Sequence, residues 1–220
     1  MEQFVIEANE SYRWWDRNER TCCLNRDTFA FYHSDYQGGG NWKVNGTIEN
    51  LICTLKNDRT PYTDNVLSAT CNNLYNILCE DLPQIIMKNR RQPLTVCVIP
   101  RAKHEEYYSP NQLLFRYTIQ RFVTTYAKLN FIDGTHNIIR HTDTKTTHSA
   151  RSGNGGDGSM PYPGITNDTC HISNVRGKDI LLIDDLYTKH ICIDEDAIQA
   201  LYDNGANNVI FYSIGKTIQK

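Results

Sequence analysis

The chain has 220 residues, enough for one large domain with a substantial hydrophobic core. Lysine and arginine number 23 against 25 aspartate and glutamate, and the formal net charge of -2 excludes a global field that would attract nucleic acid or an anionic membrane. Every apolar run is far shorter than the ~20 residues that a membrane span needs, and residues 1–4 lack the features of a secretory signal. We therefore predict a cytoplasmic protein that does not contact a membrane.

The eight cysteines do not form a metal-binding or disulfide pattern. Cys22 and Cys23 are adjacent, the others are scattered, and no C-x-x-C pair occurs. We expect reduced and mostly buried thiols, as is usual for free cysteines in cytosolic folds. Cys192 is the exception, because it falls in the loop after an acidic pair.

Residues 1–60 are polar and rich in aromatic side chains, with little regular periodicity. Short strand-like segments occur at 28–33 and 42–44, and the three glycines at 38–40 are typical of a hairpin tip between them. We predict a small N-terminal lobe over residues 1–60, packed on a main domain over residues 61–220. The aromatic side chains of this lobe either fill a core or line a ligand pocket.

From residue 61 onward, helical and strand patterns alternate. Apolar residues recur at helical spacing over 63–88, where Pro83 is a point at which the helix could break. The following segments are a strand at 94–99, a helix from 109 to 127, and short strands at 129–132 and 137–140. This alternation predicts an α/β fold with a mainly parallel, twisted sheet flanked by helices.

A further unit spans residues 178–216, and its first strand ends in two acids. The apolar run 180–183 is typical of a strand buried on both faces. Asp184 and Asp185 follow directly at its carboxyl end, where open α/β sheets bind their ligands. This position makes the two carboxylates the leading candidates for a functional site.

The same unit continues with a helix and a last strand. Apolar residues at helical spacing predict a helix over 194–204, with Gly205 as its C-cap, and a buried strand follows at 209–214. The helix begins with three acids, Asp194, Glu195 and Asp196. Favourable interaction with the helix macrodipole explains them sufficiently as a capping feature.

The segment 145–174 shows no periodic pattern and is rich in glycine between residues 151 and 164. A loop of this length in a compact domain is usually a lid or a binding loop. A passive disordered insertion is the alternative.

The strand, the acid pair, the loop and the helix of residues 178–205 resemble the ribose-phosphate signature of the type I phosphoribosyltransferase family. A Gly-Lys pair precedes this strand and Asn-Gly-Ala precedes the last one, and the arrangement is most similar to ComF-like proteins and the core of amidophosphoribosyltransferase. The resemblance covers residues 94–216 and implies a type I phosphoribosyltransferase-like fold. It also implies a ligand, phosphoribosyl pyrophosphate (PRPP), which carries ribose hydroxyls, a 5′-phosphate and a Mg²⁺-bound pyrophosphate.

Within this resemblance, Asp184 and Asp185 are the catalytic residues, which bind the ribose hydroxyls and favour the cationic ribose-like transition state. The next residues correspond to the PRPP-binding 5′-phosphate loop, which in the family usually reads Thr or Ser, Thr, Gly, any residue, and Thr or Ser. This chain has Thr188, Lys189, His190, Ile191 and Cys192, of which only Thr188 matches. Because His190 replaces the glycine that lets the backbone approach a phosphate, either Lys189 and His190 compensate with positive charge or the loop no longer binds phosphate.

Arg101 and Lys103 follow the strand 94–99, at the place of the family's pyrophosphate loop. Two cations on a short turn suit PRPP binding through its diphosphate. The glycine-rich segment lies where the family carries a loop that closes over PRPP and excludes water, and His148 and Arg151 are the candidate lid cations. Mg²⁺ is the implied cofactor and would be bound through the ligand, not directly by the protein.

The resemblance implies transfer of the phosphoribosyl group of PRPP to an acceptor, with release of pyrophosphate. The acceptor is not indicated, and residues 1–60 are the candidate hood that selects it. A second hypothesis is a catalytically altered module that binds a nucleotide or a protein partner in a regulatory, defence or DNA-uptake system. A third has water or a polymer as the acceptor, as in a glycosidase. A homodimer is among the expected partners.

Overall fold

The computed structural model describes residues 1–13, 19–21, 24–58, 61–89, 93–127, 130–144, 164–189 and 191–218. The strands in these ranges are β1 (Glu2–Ile6), β2 (Ser11–Arg13), β3 (Glu19–Thr21), β4 (Thr28–Tyr36), β5 (Leu94–Val98), β6 (Phe131–Asp133), β7 (Ile138–Arg140), β8 (Cys170–Ile172), β9 (Asp179–Tyr187) and β10 (Asn208–Thr217). The α-helices are α1 (Ile48–Lys56), α2 (Asp64–Asn89), α3 (Leu114–Thr125) and α4 (Ile193–Asp203).

Six strands form the main sheet in the order β1-β4-β10-β9-β5-β6. Strands β4, β10, β9, β5 and β6 run parallel, and β1 is antiparallel to β4 at the edge. The prediction of an α/β fold with a mainly parallel sheet is therefore confirmed. From β5 the chain crosses to β6 on one side, and it later returns to β9 on the other side of β5. The strand order thus reverses between β5 and β9, which is where open α/β sheets form their ligand crevice.

The two faces of the sheet carry separate cores because side chains alternate along each strand. Leu181 and Ile183 pack with α1, α2 and α3 in one core, and Ile180 and Leu182 pack with α4 in the other. Each of these four side chains is fully buried, which explains the continuous apolar run of β9. Helices therefore cover both faces and leave the strand ends open.

The N-terminal segment contributes β1 and β4 to the main sheet, where β4 lies directly beside β10. The strand predicted at 28–33 is part of β4. The predicted strand at 42–44, and with it the hairpin tip at 38–40, is wrong, because Gly39–Lys43 forms a 3₁₀-helix. The function of residues 1–60 as a hood stays a prediction.

Helix α1 was not predicted, although its sequence carries a start signal. The Thr47 hydroxyl accepts a hydrogen bond of 3.1 Å from the Asn50 backbone N–H, as an N-cap residue does. Leu51, Ile52 and Leu55 follow at helical spacing and are buried in the core. The apolar spacing of α1 covers only nine residues and follows an aromatic-rich segment without regular periodicity, so it is a weak helix signal in the sequence.

The long helix and the last helix confirm their predictions. Helix α2 runs through Pro83 without a break, and the buried Leu82, Ile85 and Ile86 hold both sides of the proline on the core. Each such side chain contributes about 1.5–3 kcal/mol of burial, which together exceeds the ~3 kcal/mol cost of an interior proline. After α4, Gly205 has φ +88° and a C-terminal Schellman arrangement of hydrogen bonds follows.

Strands predicted around the loop segment are present but differ in their pairing. Residues 131–133 form β6 in the main sheet, whereas β7 pairs with β8, antiparallel and outside that sheet. Strand β8 falls within the segment 145–174, which was predicted to lack regular structure. Residues 145–163 lie outside the described residues. None of the described helices has an apolar stretch long enough to span a membrane.

Gly134, just after β6, is packed too tightly to carry a side chain. A Cβ atom there would lie 2.6 Å from Thr95 Cγ2, 2.7 Å from Asn137 Nδ2 and 3.1 Å from the Val96 carbonyl oxygen. We expect Gly134→Ala to lower the free energy of unfolding by about 1–3 kcal/mol, measured by urea denaturation.

Gly40→Ala is the matched control, because a Cβ at Gly40 has no atom within 4 Å. We expect a change of at most about 0.5 kcal/mol for this control. Equal stability of the two variants would contradict the close packing at Gly134.

Candidate functional site

A cleft of about 130 Å³ opens at the carboxyl ends of β5 and β9, where the strand order reverses. Its charged lining residues come from four separate parts of the chain: Lys56, Asp58, Arg101, Arg140, Asp184 and Asp185. The cleft therefore combines acidic and basic groups at the edge of the sheet that serves ligand binding in open α/β folds.

Strand β9 is longer than predicted and includes the acid pair. The β5–β9 ladder pairs Val98 with Ile183, and the Ile99 N–H then donates to the Ile183 carbonyl oxygen over 3.0 Å. Strand β9 continues along β10 to Tyr187, so Asp184 and Asp185 lie within the strand and not after it. Their side chains are half-buried and line the space beyond the end of β5.

Lys56 forms an ion pair with the acid pair that the sequence did not predict. Its Nζ lies 2.9 Å from Asp185 Oδ2, and the two side chains are 29% and 16% exposed. Burial lowers the pKa of Lys56, but the negative charges of Asp185 and Asp184 outweigh burial and leave the pKa above its usual value. Lys56 is the last residue of α1. Because that helix was not predicted, the position of this cation in the cleft was not predicted either.

Arg101 lies in the cleft, as predicted, but its guanidinium already has protein partners. Its Nη2 donates to both carboxylate oxygens of Asp58, over 2.5 and 2.6 Å. Its Nη1 donates to the carbonyl oxygens of Lys56 and Gln112, over 2.9 and 3.0 Å. The guanidinium also stacks over the Tyr108 ring at 4.3 Å. These contacts tie the turn after β5 to the end of α1.

Lys103 lines a second, smaller cavity of about 40 Å³, which shares Arg101 and Arg140 with the cleft. The Lys103 Nζ lies 4.0 Å from Asp143 Oδ2, at the limit of an ion pair. Arg101 and Lys103 thus lie near each other, as the sequence indicates, and their role in PRPP binding stays a prediction.

Arg140 is a cleft residue that the sequence did not single out. Its side chain is 5% exposed, and its guanidinium donates to three backbone carbonyl oxygens: Arg101 at 2.6 Å, Gly164 at 2.9 Å and Thr142 at 3.4 Å. Burial lowers the pKa of Arg140. Arg140 therefore links the turn after β5 to the segment that begins at Gly164. The sequence feature that could have identified Arg140 is its position at the end of a short strand, since Arg101 also follows the end of a strand.

Only part of the predicted 5′-phosphate loop is described, and two of its polar groups are engaged within the protein. The Thr188 Oγ1 lies 2.7 Å from Thr217 Oγ1 on β10. The Lys189 Nζ lies 2.7 Å from Glu10 Oε1 and 3.6 Å from Glu7 Oε2, and the hydrogen bond to Glu10 raises the pKa of Lys189. The positive charge that the sequence offers to a phosphate is therefore balanced by carboxylates near β1.

The rest of that loop leads into α4. The Ile191 N–H donates to the Thr188 carbonyl oxygen over 3.2 Å, which closes a tight turn. Cys192 is buried, has φ +61° and forms a disulfide, so the interpretation that the cysteines do not form disulfides is wrong at this position. His190 and the candidate lid residues His148 and Arg151 lie outside the described residues.

The other described cysteines, Cys53, Cys71, Cys79, Cys97 and Cys170, are not in disulfide bonds, as expected. Burial raises the pKa of Cys97 to about 12, which keeps this thiol protonated and unreactive. Cys71, Cys97 and Cys170 are buried in the hydrophobic cores, where they act as packing residues.

The three acids at the start of α4 are buried, which the capping interpretation did not foresee. Asp194, Glu195 and Asp196 are only 4%, 1% and 3% exposed. Tyr187 OH donates to Glu195 Oε1 over 2.9 Å, and the Gly164 N–H donates to Asp196 Oδ2 over 3.2 Å. Acids in a solvent-exposed first turn would be hydrated and would not require hydrogen-bond donors from the protein. Interaction with the helix dipole alone therefore does not explain the burial and the hydrogen bonds of these three residues.

Burial also changes the acidity of this group of carboxyls. It raises the pKa of Asp184 to about 7, with the charge of Asp185 adding to the effect, and raises the pKa of Glu195 to about 7. Burial and the charge of Asp184 raise the pKa of Asp194 well above its usual value. The site therefore contains carboxyls that hold protons near neutral pH.

The fold and the cleft define an α/β protein with a charged cavity at the carboxyl edge of a mainly parallel sheet. No known family model matches the sequence, and no curated protein matches it significantly. Within the described ranges, no three His, Cys, Asp or Glu side chains are grouped to hold a metal ion.

Proposed function

We propose that the protein binds PRPP in the cleft and transfers its phosphoribosyl group to an acceptor, releasing pyrophosphate. The observation that carries this proposal is the position of Asp184 and Asp185, which line the cavity where the strand order reverses, together with Arg101 from the neighbouring strand end. A ligand that carries both hydroxyls and phosphates matches a cleft that presents both carboxylates and cations.

The ribose and the diphosphate of PRPP have candidate partners among the residues that line the cleft and the smaller cavity beside it. Asp184 and Asp185 would accept hydrogen bonds from the ribose hydroxyls, and the negative charge of Asp185 would favour the cationic ribose-like transition state. Arg101, Arg140 and Lys103 line the cation-rich side, which suits a diphosphate. Mg²⁺ would be held by the diphosphate oxygens, since Mg²⁺ commonly binds through substrate phosphates and waters. When bound, it would neutralise the charge of the leaving pyrophosphate.

A second candidate function is a module that keeps the fold and binds a nucleotide or a protein partner without phosphoribosyl transfer. Two cations that phosphate binding would use are already paired, Arg101 with Asp58 and Lys189 with Glu10. A phosphate would have to compete with these carboxylates. The internal pairing of both cations favours this second candidate.

The acid pair provides the test of the first candidate. We expect PRPP with Mg²⁺ to bind the wild-type protein in a calorimetric titration, and Asp184→Asn/Asp185→Asn to weaken binding at least about tenfold by removing the acceptors for the hydroxyls. Asp179→Asn is the matched control, because Asp179 lies at the opposite end of the same strand. We expect the control to bind as the wild type does.

Pyrophosphate release then distinguishes an enzyme from a binding module. Release on addition of a nucleobase or amine acceptor, lost in the double variant, would support transfer. Binding without release would favour the module. Absence of heat with the wild type at millimolar PRPP would contradict the PRPP proposal altogether.

A further inference from the structure

The cleft residue Asp184 contacts a second carboxyl behind it, on a different element. Asp184 lies on β9 and lines the cavity, and its side chain lies within hydrogen-bonding reach of that of Asp194 in the first turn of α4. An ionised carboxylate can only accept hydrogen bonds. Two carboxyl groups at this distance can therefore be hydrogen-bonded only if one of them carries a proton.

The surroundings of Asp194 favour the protonated form. Asp194 is 4% exposed, and its Oδ1 atom has no hydrogen-bond partner within the described part of the chain. The charged groups that face the pair are Asp185 from β9, Glu195 from α4 and Lys56 from α1. Four carboxyls, Asp184, Asp185, Asp194 and Glu195, thus lie near one cation among the described residues, Lys56, which pairs directly with Asp185.

Glu195 does not relieve this crowding. Its Oε1 accepts from Tyr187 OH, and its Oε2 has no partner among the described residues. Asp196 points to the Gly164 N–H instead. Two ionised carboxylates in contact, with no cation of their own, would repel each other strongly in a buried site, and sharing a proton removes the repulsion.

We propose that Asp184 and Asp194 share one proton at neutral pH, with Asp194 as the positioning residue that holds it when a ligand hydroxyl donates to Asp184. The cleft then presents one negative charge on the Asp184–Asp194 pair instead of two. The proton moves only between the two carboxyl groups, so none has to enter or leave the site when a hydroxyl binds. An anionic ligand is repelled once the pair loses this proton. That consequence rests on the proposed function, whereas the shared proton does not.

The shared proton can be detected without any ligand. In protein labelled with ¹³C at the aspartate carboxyl carbons, we expect an infrared band of a protonated aspartic acid at neutral pH that disappears as the pair titrates. We expect the band to be lost in Asp194→Asn, whose amide can still donate to Asp184. Asp194→Ser, which is smaller and also donates, replaces this variant if it fails to fold.

Asp196→Asn is the matched control, since Asp196 is equally buried in the same helical turn and its amide oxygen can still accept from Gly164. We expect this variant to keep the band. Absence of the band in the wild type, or its persistence in Asp194→Asn, would overturn the shared proton whatever the ligand is.

The ligand arm uses PRPP with Mg²⁺ in calorimetric titrations from about pH 6.5 to about pH 8.5. Since one proton is linked to the pair, we expect wild-type affinity to fall by up to about tenfold per pH unit above neutrality, relative to Asp194→Asn. Taking the ratio of the two proteins cancels the titration of PRPP itself. A constant ratio would overturn the linkage between binding and protonation.

The two arms separate this inference from the proposed function. A band without any PRPP binding would leave the shared proton standing and reject PRPP as the ligand. PRPP binding without the band would support PRPP as the ligand and reject the shared proton.

Discussion

The free energy of unfolding is expected to fall as the pH rises from about 5 to about 8, by about 2–4 kcal/mol. Burial raises the pKa of Asp184 and of Glu195 to about 7, from 3.8 and 4.5 respectively. In this window the unfolded chain has released these protons while the folded chain still holds them. The folded state therefore binds more protons, and its stability is lost as the pH rises through the folded pKa values. Urea denaturation at several pH values measures the change.

Other carboxyls do not reverse this trend in the same window. Burial alone would raise the pKa of Glu49 and Asp133, but hydrogen bonds outweigh it and lower both values. Their contribution to stability is therefore fully present at pH values above the pKa that each carboxyl has in the unfolded chain, and it does not change between about pH 5 and about pH 8. We expect Glu195→Gln to reduce the slope, and Glu106→Gln, at an exposed position, to leave it unchanged. Stability that is constant or rises between about pH 5 and about pH 8 would contradict protonated buried acids.

Arg140→Ala is expected to lower the free energy of unfolding by about 3 kcal/mol. The buried guanidinium donates to the Arg101 and Gly164 carbonyl oxygens over 2.6 and 2.9 Å. Alanine would leave both without that donor and would remove the link between the turn after β5 and the segment that begins at Gly164. Chemical denaturation gives the stability, and PRPP titration shows whether the cleft depends on the link.

Arg121→Ala serves as the control for the loss of an arginine. Arg121 is exposed on α3, where it donates to Asn72 Oδ1 over 3.3 Å. We expect this change to cost at most about 0.5 kcal/mol. If Arg140→Ala were equally mild, the three carbonyl contacts would not be structurally important.

The parts of the fold that could be predicted are those with long, regular patterns. The apolar run 180–183 and the helical spacing over 63–88 and 194–204 each correspond to an observed element. The position of Asp184 and Asp185 at the cleft followed from the same reasoning, because strand ends in a parallel sheet lie at one edge.

The parts that could not be predicted depend on short signals or on distant partners. Helix α1 is short, and the aromatic residues before it concealed its apolar spacing, so the ion pair of Lys56 with Asp185 was missed. The acids of α4 look like a solvated first turn in the sequence. Their burial depends on β9 and on the segment at Gly164, which are remote along the chain.

The sequence by itself determined the α/β class and the candidate acid pair, because hydrophobic periodicity and strand-end position are local properties of the chain. Only the tertiary structure decided how those acids are charged. It places Lys56 against Asp185, Asp194 behind Asp184, and Asp58 on Arg101. Burial and charge pairing depend on residues that are far apart in sequence, so the ionisation of the cleft follows from the packing of the folded chain.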